Sequence, residues 1–113
     1  MTHEPAYERF EVTSPQGRSQ RVEFKKAGFL TAGDQPELFF FLVDSSEVVV
    51  GVSGEALRQW QHTRHYLSRE EKIDLAGLYL KQRIVAGMAL VPENLYVGPA
   101  ELERLLRELG FSS

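Results

Sequence analysis

The side chains able to do chemistry gather between positions 53 and 72 of this sequence. His62 and His65 stand three residues apart, a spacing that sets two imidazoles on one helical face, where they can share a metal or act as acid and base near neutral pH. A third ligand would have to come from Glu70, Glu71 or Asp74 across a turn, and no metal motif joins them. The expected reading is therefore two histidines on a polar helix face, with no metal and no cofactor. A pocket near Trp60, His62 and His65, with Tyr66 beside it, stays open as an alternative, as a ligand site or a small enzyme. Arg58, His62, Arg64 and His65, with Arg69 and Lys72, make the stretch 58–72 locally basic and form a candidate ligand or phosphate patch. Contact with nucleic acid through that stretch is a third reading. Against it stand a net charge of −3, the neighbouring Glu70 and Glu71, and the lack of any helix-turn-helix, zinc-finger or ribonucleoprotein motif.

Gly51-Val52-Ser53-Gly54-Glu55 invites comparison with a nucleophile elbow, because a serine falls at a strand-to-helix turn. Glu55 stands where close packing needs glycine, and a capping serine accounts for the same residue. The acids Glu70, Glu71, Glu101 and Glu103 sit in first helical turns, where the helix dipole favours them. No catalytic residue is assigned, and whether the chain is an enzyme is left open.

Composition bounds the rest. The 113 residues suit one core, so a single domain over 1–113 is expected. With 42% apolar and 26% charged residues, the balance is that of an ordinary globular protein. Cysteine is absent, which excludes disulfides, thiolate metal sites and a cysteine nucleophile. His3, Glu4, Glu8 and Arg9 interrupt the first ten residues, and the apolar run 38–43 is too short to span a bilayer. A cytoplasmic protein with no membrane contact is expected.

Two half-buried strands flank the turn Ser14-Pro15-Gln16-Gly17, in which Val22 and Phe24 share a face. A second hairpin, 38–43 and 48–52, follows across Asp44-Ser45-Ser46-Glu47. Then the period changes. Ser53 can cap a helix carrying Ala56, Leu57 and Trp60, and Ser68-Arg69-Glu70-Glu71 fits a capping box for a helix over 69–85. Ile73, Ala76, Leu80 and Ile84, with Leu75, Leu78, Tyr79 and Val85, make that helix apolar on more than one side. A short strand at 94–97 precedes a last helix that opens at Pro99 and ends at Gly110. The expected fold is α+β: an antiparallel four- to five-stranded meander followed by two or three helices packed on it.

The second hairpin sets the expectation about assembly. Leu38, Phe40 and Leu42 line one side of its first strand, and Phe39, Phe41 and Val43 the other, so both sides need cover. Either helices lie on both faces or a second copy covers one. The homodimer is favoured, with Phe39, Phe41, Val43, Leu102, Leu105 and Leu109 as the candidate interface.

The hairpin, the string Val52-Ser53-Gly54-Glu55-Ala56-Leu57, and the helix end Leu80-Lys81-Gln82-Arg83-Ile84-Val85-Ala86-Gly87 resemble a family of small bacterial proteins catalogued only as a domain of unknown function. The resemblance spans about the last two thirds of the chain and implies no functional residue. Together these readings point to a small non-catalytic protein-binding or regulatory module, homodimeric, with itself or another protein as partner.

Overall fold

Turn chemistry sets the first four strands side by side. In the computed structural model, which describes residues 7–28, 36–63 and 67–110, β1 (Arg9–Thr13) and β2 (Ser19–Gly28) close around Pro15 and Gly17. Gly17 takes φ 81°, a left-handed conformation that glycine adopts without steric cost. The Ser14 amide donates to the Arg18 carbonyl at 2.8 Å and closes the loop. Between β3 (Glu37–Val43) and β4 (Ser46–Val52) the link is only Asp44 and Ser45, at φ 50° and 71°. Two left-handed residues match the twist of the flanking strands, so β4 begins two residues earlier than the composition of the link suggests. The Asp44 carboxylate also accepts from the Arg21 amide at 3.0 Å, which ties this turn to β2.

The five strands lie in sequence order, β1-β2-β3-β4-β5, and the sheet curls into a half-barrel. The first three pairings are antiparallel, whereas β5 (Tyr96–Val97) adds to β4 in parallel. A parallel partner needs a crossover. Here α1 (Gly54–Thr63), α2 (Arg69–Val85) and a 3₁₀ turn, Pro92–Asn94, make it, and α3 (Pro99–Glu108) follows. The fold is α+β.

One register shift decides which side chains share a face. Phe24 pairs with Phe41 but Lys26 pairs with the adjacent Phe40, so β2 carries Lys25 as an extra residue. Without this bulge Lys26 would point inward beside Phe24. With it, Ala27 turns to the core side and Lys26 lies over the Phe40 ring at 5.1 Å on the other.

The core joins the inner sheet face to the helices. Val22, Phe24, Phe39, Phe41, Val43, Val50 and Val52 form one apolar cluster with Leu57, Trp60, Ile73, Leu75, Leu80, Leu102 and Leu105. α2 starts at the expected capping box: the Glu71 amide donates to Ser68 Oγ at 3.1 Å, and the Ser68 amide to Glu71 Oε1 at 2.8 Å. All its residues from Ile73 to Leu80 are buried, which fits an apolar surface wider than one stripe. Tyr7, just ahead of β1, lies against this helix, where its amide donates to the buried Asp74 carboxylate at 2.9 Å. Gly77 makes the contact possible, since a Cβ there would stand 2.6 Å from the Tyr7 carbonyl oxygen.

Candidate functional site

Each residue singled out by its chemistry has a definite place. Ser53 closes the first turn of α1: its Oγ accepts from the Ala56 amide at 3.2 Å, its own amide donates to the Val97 carbonyl at 2.9 Å, and it is 8% exposed. It is a helix cap. Trp60 belongs to the core, whereas Arg58 and His62 are exposed on α1. Arg64, His65 and Tyr66 lie outside the described residues.

Two of the three acids that could have completed a metal site with the histidines, Glu71 and Asp74, have structural work. Glu71 holds the capping box and Asp74 receives the Tyr7 amide. Among the described residues no group of three or more histidine, aspartate or glutamate side chains is placed to hold a metal ion. Two members of the basic stretch, Arg69 and Lys72, are similarly engaged. The Arg69 guanidinium lies 5.5 Å from the centre of the Phe24 ring, and Lys72 Nζ pairs with Glu37 Oε1 at 3.2 Å. Glu101 and Glu103 form rungs along α3, with Arg104 at 2.6 Å and Arg107 at 2.9 Å respectively.

The expected interface is corrected. Phe39, Phe41 and Val43 are 3%, 0% and 4% exposed within the single chain, and Leu102 and Leu105 are 2% and 0%. The helices cover that face of the hairpin, so these residues have no surface to offer a partner. Leu109 is half-buried at the edge of the same cluster.

The opposite face of the sheet is the one left accessible. Leu38, Phe40, Leu42 and Val49 are half-buried there, and Tyr96 is 49% exposed. Cross-strand pairing sets them in rows: Glu23–Leu42–Glu47, then Lys26–Phe40–Val49, then Gly28–Leu38–Gly51–Tyr96. Two glycines let the aromatic rings lie down on the strands. A Cβ at Gly28 would stand 3.0 Å from the Phe40 ring, and one at Gly51 would stand 3.3 Å from the Tyr96 ring. The result is a low apolar platform. Tyr96 is held from below, because the buried Tyr79 hydroxyl lies 3.1 Å from the Tyr96 carbonyl and donates to it.

Charges of both signs border the platform and are paired within the face. Arg9 and Glu23 meet at 3.0 Å, Lys25 and Glu47 at 2.7 Å, and Arg21 and Glu11 at 3.9 Å. The hydrogen bond from Lys25, and then its positive charge, hold the Glu47 carboxyl below its ordinary value. An open depression of about 530 Å³ beside the platform is lined by Glu11, Ser19, Arg21, Glu23, Leu42, Asp44 and Ser45. Its lining mixes acids, an arginine and hydroxyls on a sheet surface, which suits the rim of a protein contact better than an enclosed ligand site.

The sequence marked this hairpin as apolar on both sides, but it contains no signal for which side the helices choose. Tyr96 falls in the short strand expected at 94–97, but its place on the outer face depends on β5 joining the sheet beside Gly51. No family model, no curated protein and no solved structure matches this chain.

Proposed function

We propose that this chain is a non-catalytic protein-binding module, acting in the cytoplasm, that makes its contact through the outer face of the sheet. The observation that supports this reading is the platform of Leu38, Phe40, Leu42, Val49 and Tyr96 bordered by charged pairs. An apolar centre with a polar, charged rim is the anatomy of a protein interface, and an exposed apolar patch on a small domain usually marks one. Rings lying flat over glycines suit a broad contact, since they offer area at little cost in side-chain freedom.

Photo-crosslinking tests the reading. With benzoylphenylalanine in place of Tyr96, illumination in the cell of origin is expected to give a covalent adduct with a polypeptide. The same label in place of Glu55, exposed on α1, is expected to give none. Equal yields at the two positions, or no adduct at position 96, would remove the outer face as the contact surface.

A further inference from the structure

Residues 84–92, at the C-terminal end of α2, carry no polar side chain. Ile84 alone is buried; Val85, Met88 and Val91 are 51%, 36% and 41% exposed, three of the four large apolar side chains exposed among the described residues. Ala86, Gly87, Ala89 and Pro92 are exposed with them. Gly87, at φ 73°, turns the chain back on the helix, and the Gly87 and Met88 amides donate to the Ile84 and Arg83 carbonyls at 3.0 and 3.1 Å. Asn94 closes the other end, its amide donating to the Val91 carbonyl and its side chain to the Ala89 carbonyl, both at 2.9 Å. Carbonyls that would otherwise look to water are thus occupied, as contact with an apolar medium requires.

The charges around this loop differ from those elsewhere on the surface. Arg9, Arg21, Lys25, Lys72, Arg104 and Arg107 each pair with a carboxylate. Lys81, Arg83 and Arg18 pair with none among the described residues: Lys81 lies over the Tyr7 ring, and Arg83 over the Tyr79 ring and against Met88 Sδ. Lys81 stands one helical turn before Val85 on the same face. Arg18 belongs to the β1–β2 turn, which reaches the loop where Pro15 lies 3.2 Å from the place of a Cβ on Gly87. The helix dipole accounts for cations at the end of α2 but not for Arg18. On the acidic side, Glu93 follows Pro92, and Glu108 bonds Gln82 and pairs with Arg104.

We infer that this loop docks on an anionic lipid surface, with Val85, Met88 and Val91 at the acyl boundary and Lys81, Arg83 and Arg18 at the level of the phosphates. Each signal is weak alone, and stable peripheral anchoring takes two together. The contact is peripheral, since among the described residues no helix is long and apolar enough to cross a membrane. A protein partner fits less well, because nine residues without a polar side chain offer nothing to fix a register. The inference does not rest on the protein-binding reading of the sheet.

Vesicle flotation of the full chain tests it, with phosphatidylcholine alone and with phosphatidylcholine containing about one-third phosphatidylserine. The chain is expected to float with the anionic vesicles about tenfold more than with the neutral ones. Met88→Ser and Val91→Ser, which leave the charge unchanged, should each lower flotation about threefold or more. Lys81→Gln combined with Arg18→Gln should lower it similarly and flatten its salt dependence, whereas Arg107→Gln, on α3, should not. All these side chains are at least partly exposed, and circular dichroism checks that each variant folds. No flotation, equal flotation on both vesicles, or flotation indifferent to the two serine variants overturns the inference. So does a polypeptide adduct in the cell from benzoylphenylalanine in place of Val91, which would make the loop a protein contact. Failure of the crosslink at position 96 bears only on the outer face.

Discussion

The two faces of the β3–β4 hairpin are built from the same kinds of residue and have opposite fates. Inward, Phe39, Phe41, Val43, Val48, Val50 and Val52 are all buried under helices. Outward, Leu38, Phe40, Leu42 and Val49 keep partial contact with solvent and are interleaved with charged neighbours on β2 and β4. The difference lies in the neighbouring strands. Val22 and Phe24 of β2 extend the inner face, while Glu23, Lys25 and Lys26 border the outer one. Apolar character in one strand therefore does not define a core; continuity across the adjacent strands does.

The largest effect that could break this comparison comes from adjacent phenylalanines. Phe41→Ala removes a fully buried ring that packs edge-to-face on Phe24 and is expected to cost about 3–5 kcal/mol. Phe40→Ala, on the outer face, is expected to cost about 1 kcal/mol. Urea unfolding of the two variants, compared at a concentration low enough to suppress association, measures the contrast. Equal costs would mean that the outer face is as much a core as the inner one.

A second test concerns the far side of α2. Gly77→Ala improves helix propensity by about 1 kcal/mol, yet its Cβ would come within 2.6 Å of the Tyr7 backbone. Net destabilisation of about 1–3 kcal/mol is expected, with faster hydrogen exchange at the Tyr7 amide. A stabilised variant with an unchanged Tyr7 amide would show that Tyr7 does not pack on this helix. Smaller still, Ser53→Ala removes one cap and should lower stability by about 1 kcal/mol while leaving the crosslinking yield at position 96 unchanged.

The smallest effect is local to the outer rim. Because Lys25 lowers the Glu47 carboxyl, the pair contributes stability above the ordinary value of 4.5 and loses it as pH falls through the depressed one. Lys25→Ala should return Glu47 towards 4.5, visible in a carboxyl-detected NMR titration, with little change in stability because the pair is exposed. An unmoved Glu47 would mean that the two side chains do not pair in solution.

Local signals in the sequence reached a long way. The capping box at Ser68 and Glu71, the breadth of apolar surface on α2, the cap at Ser53 and the end of α3 at Gly110 all depend on contacts within a few residues, and each is read from spacing alone. Other features escaped for a stated cause. The Asp44-Ser45 turn lacks glycine, so the link looked longer than it is. The bulge at Lys25 leaves no mark, since Lys25-Lys26 reads equally well with or without an extra residue.

By itself, then, the chain's residue order determined its elements and established that the second hairpin is apolar on both sides, because strand alternation and helix periodicity are properties of neighbouring residues. Only the tertiary structure decided that Phe39 and Phe41 go under the helices, and that Phe40 and Tyr96 form the outer platform. That choice rests on the parallel addition of β5, the register shift in β2 and the seating of α2, each a contact between residues far apart in the chain.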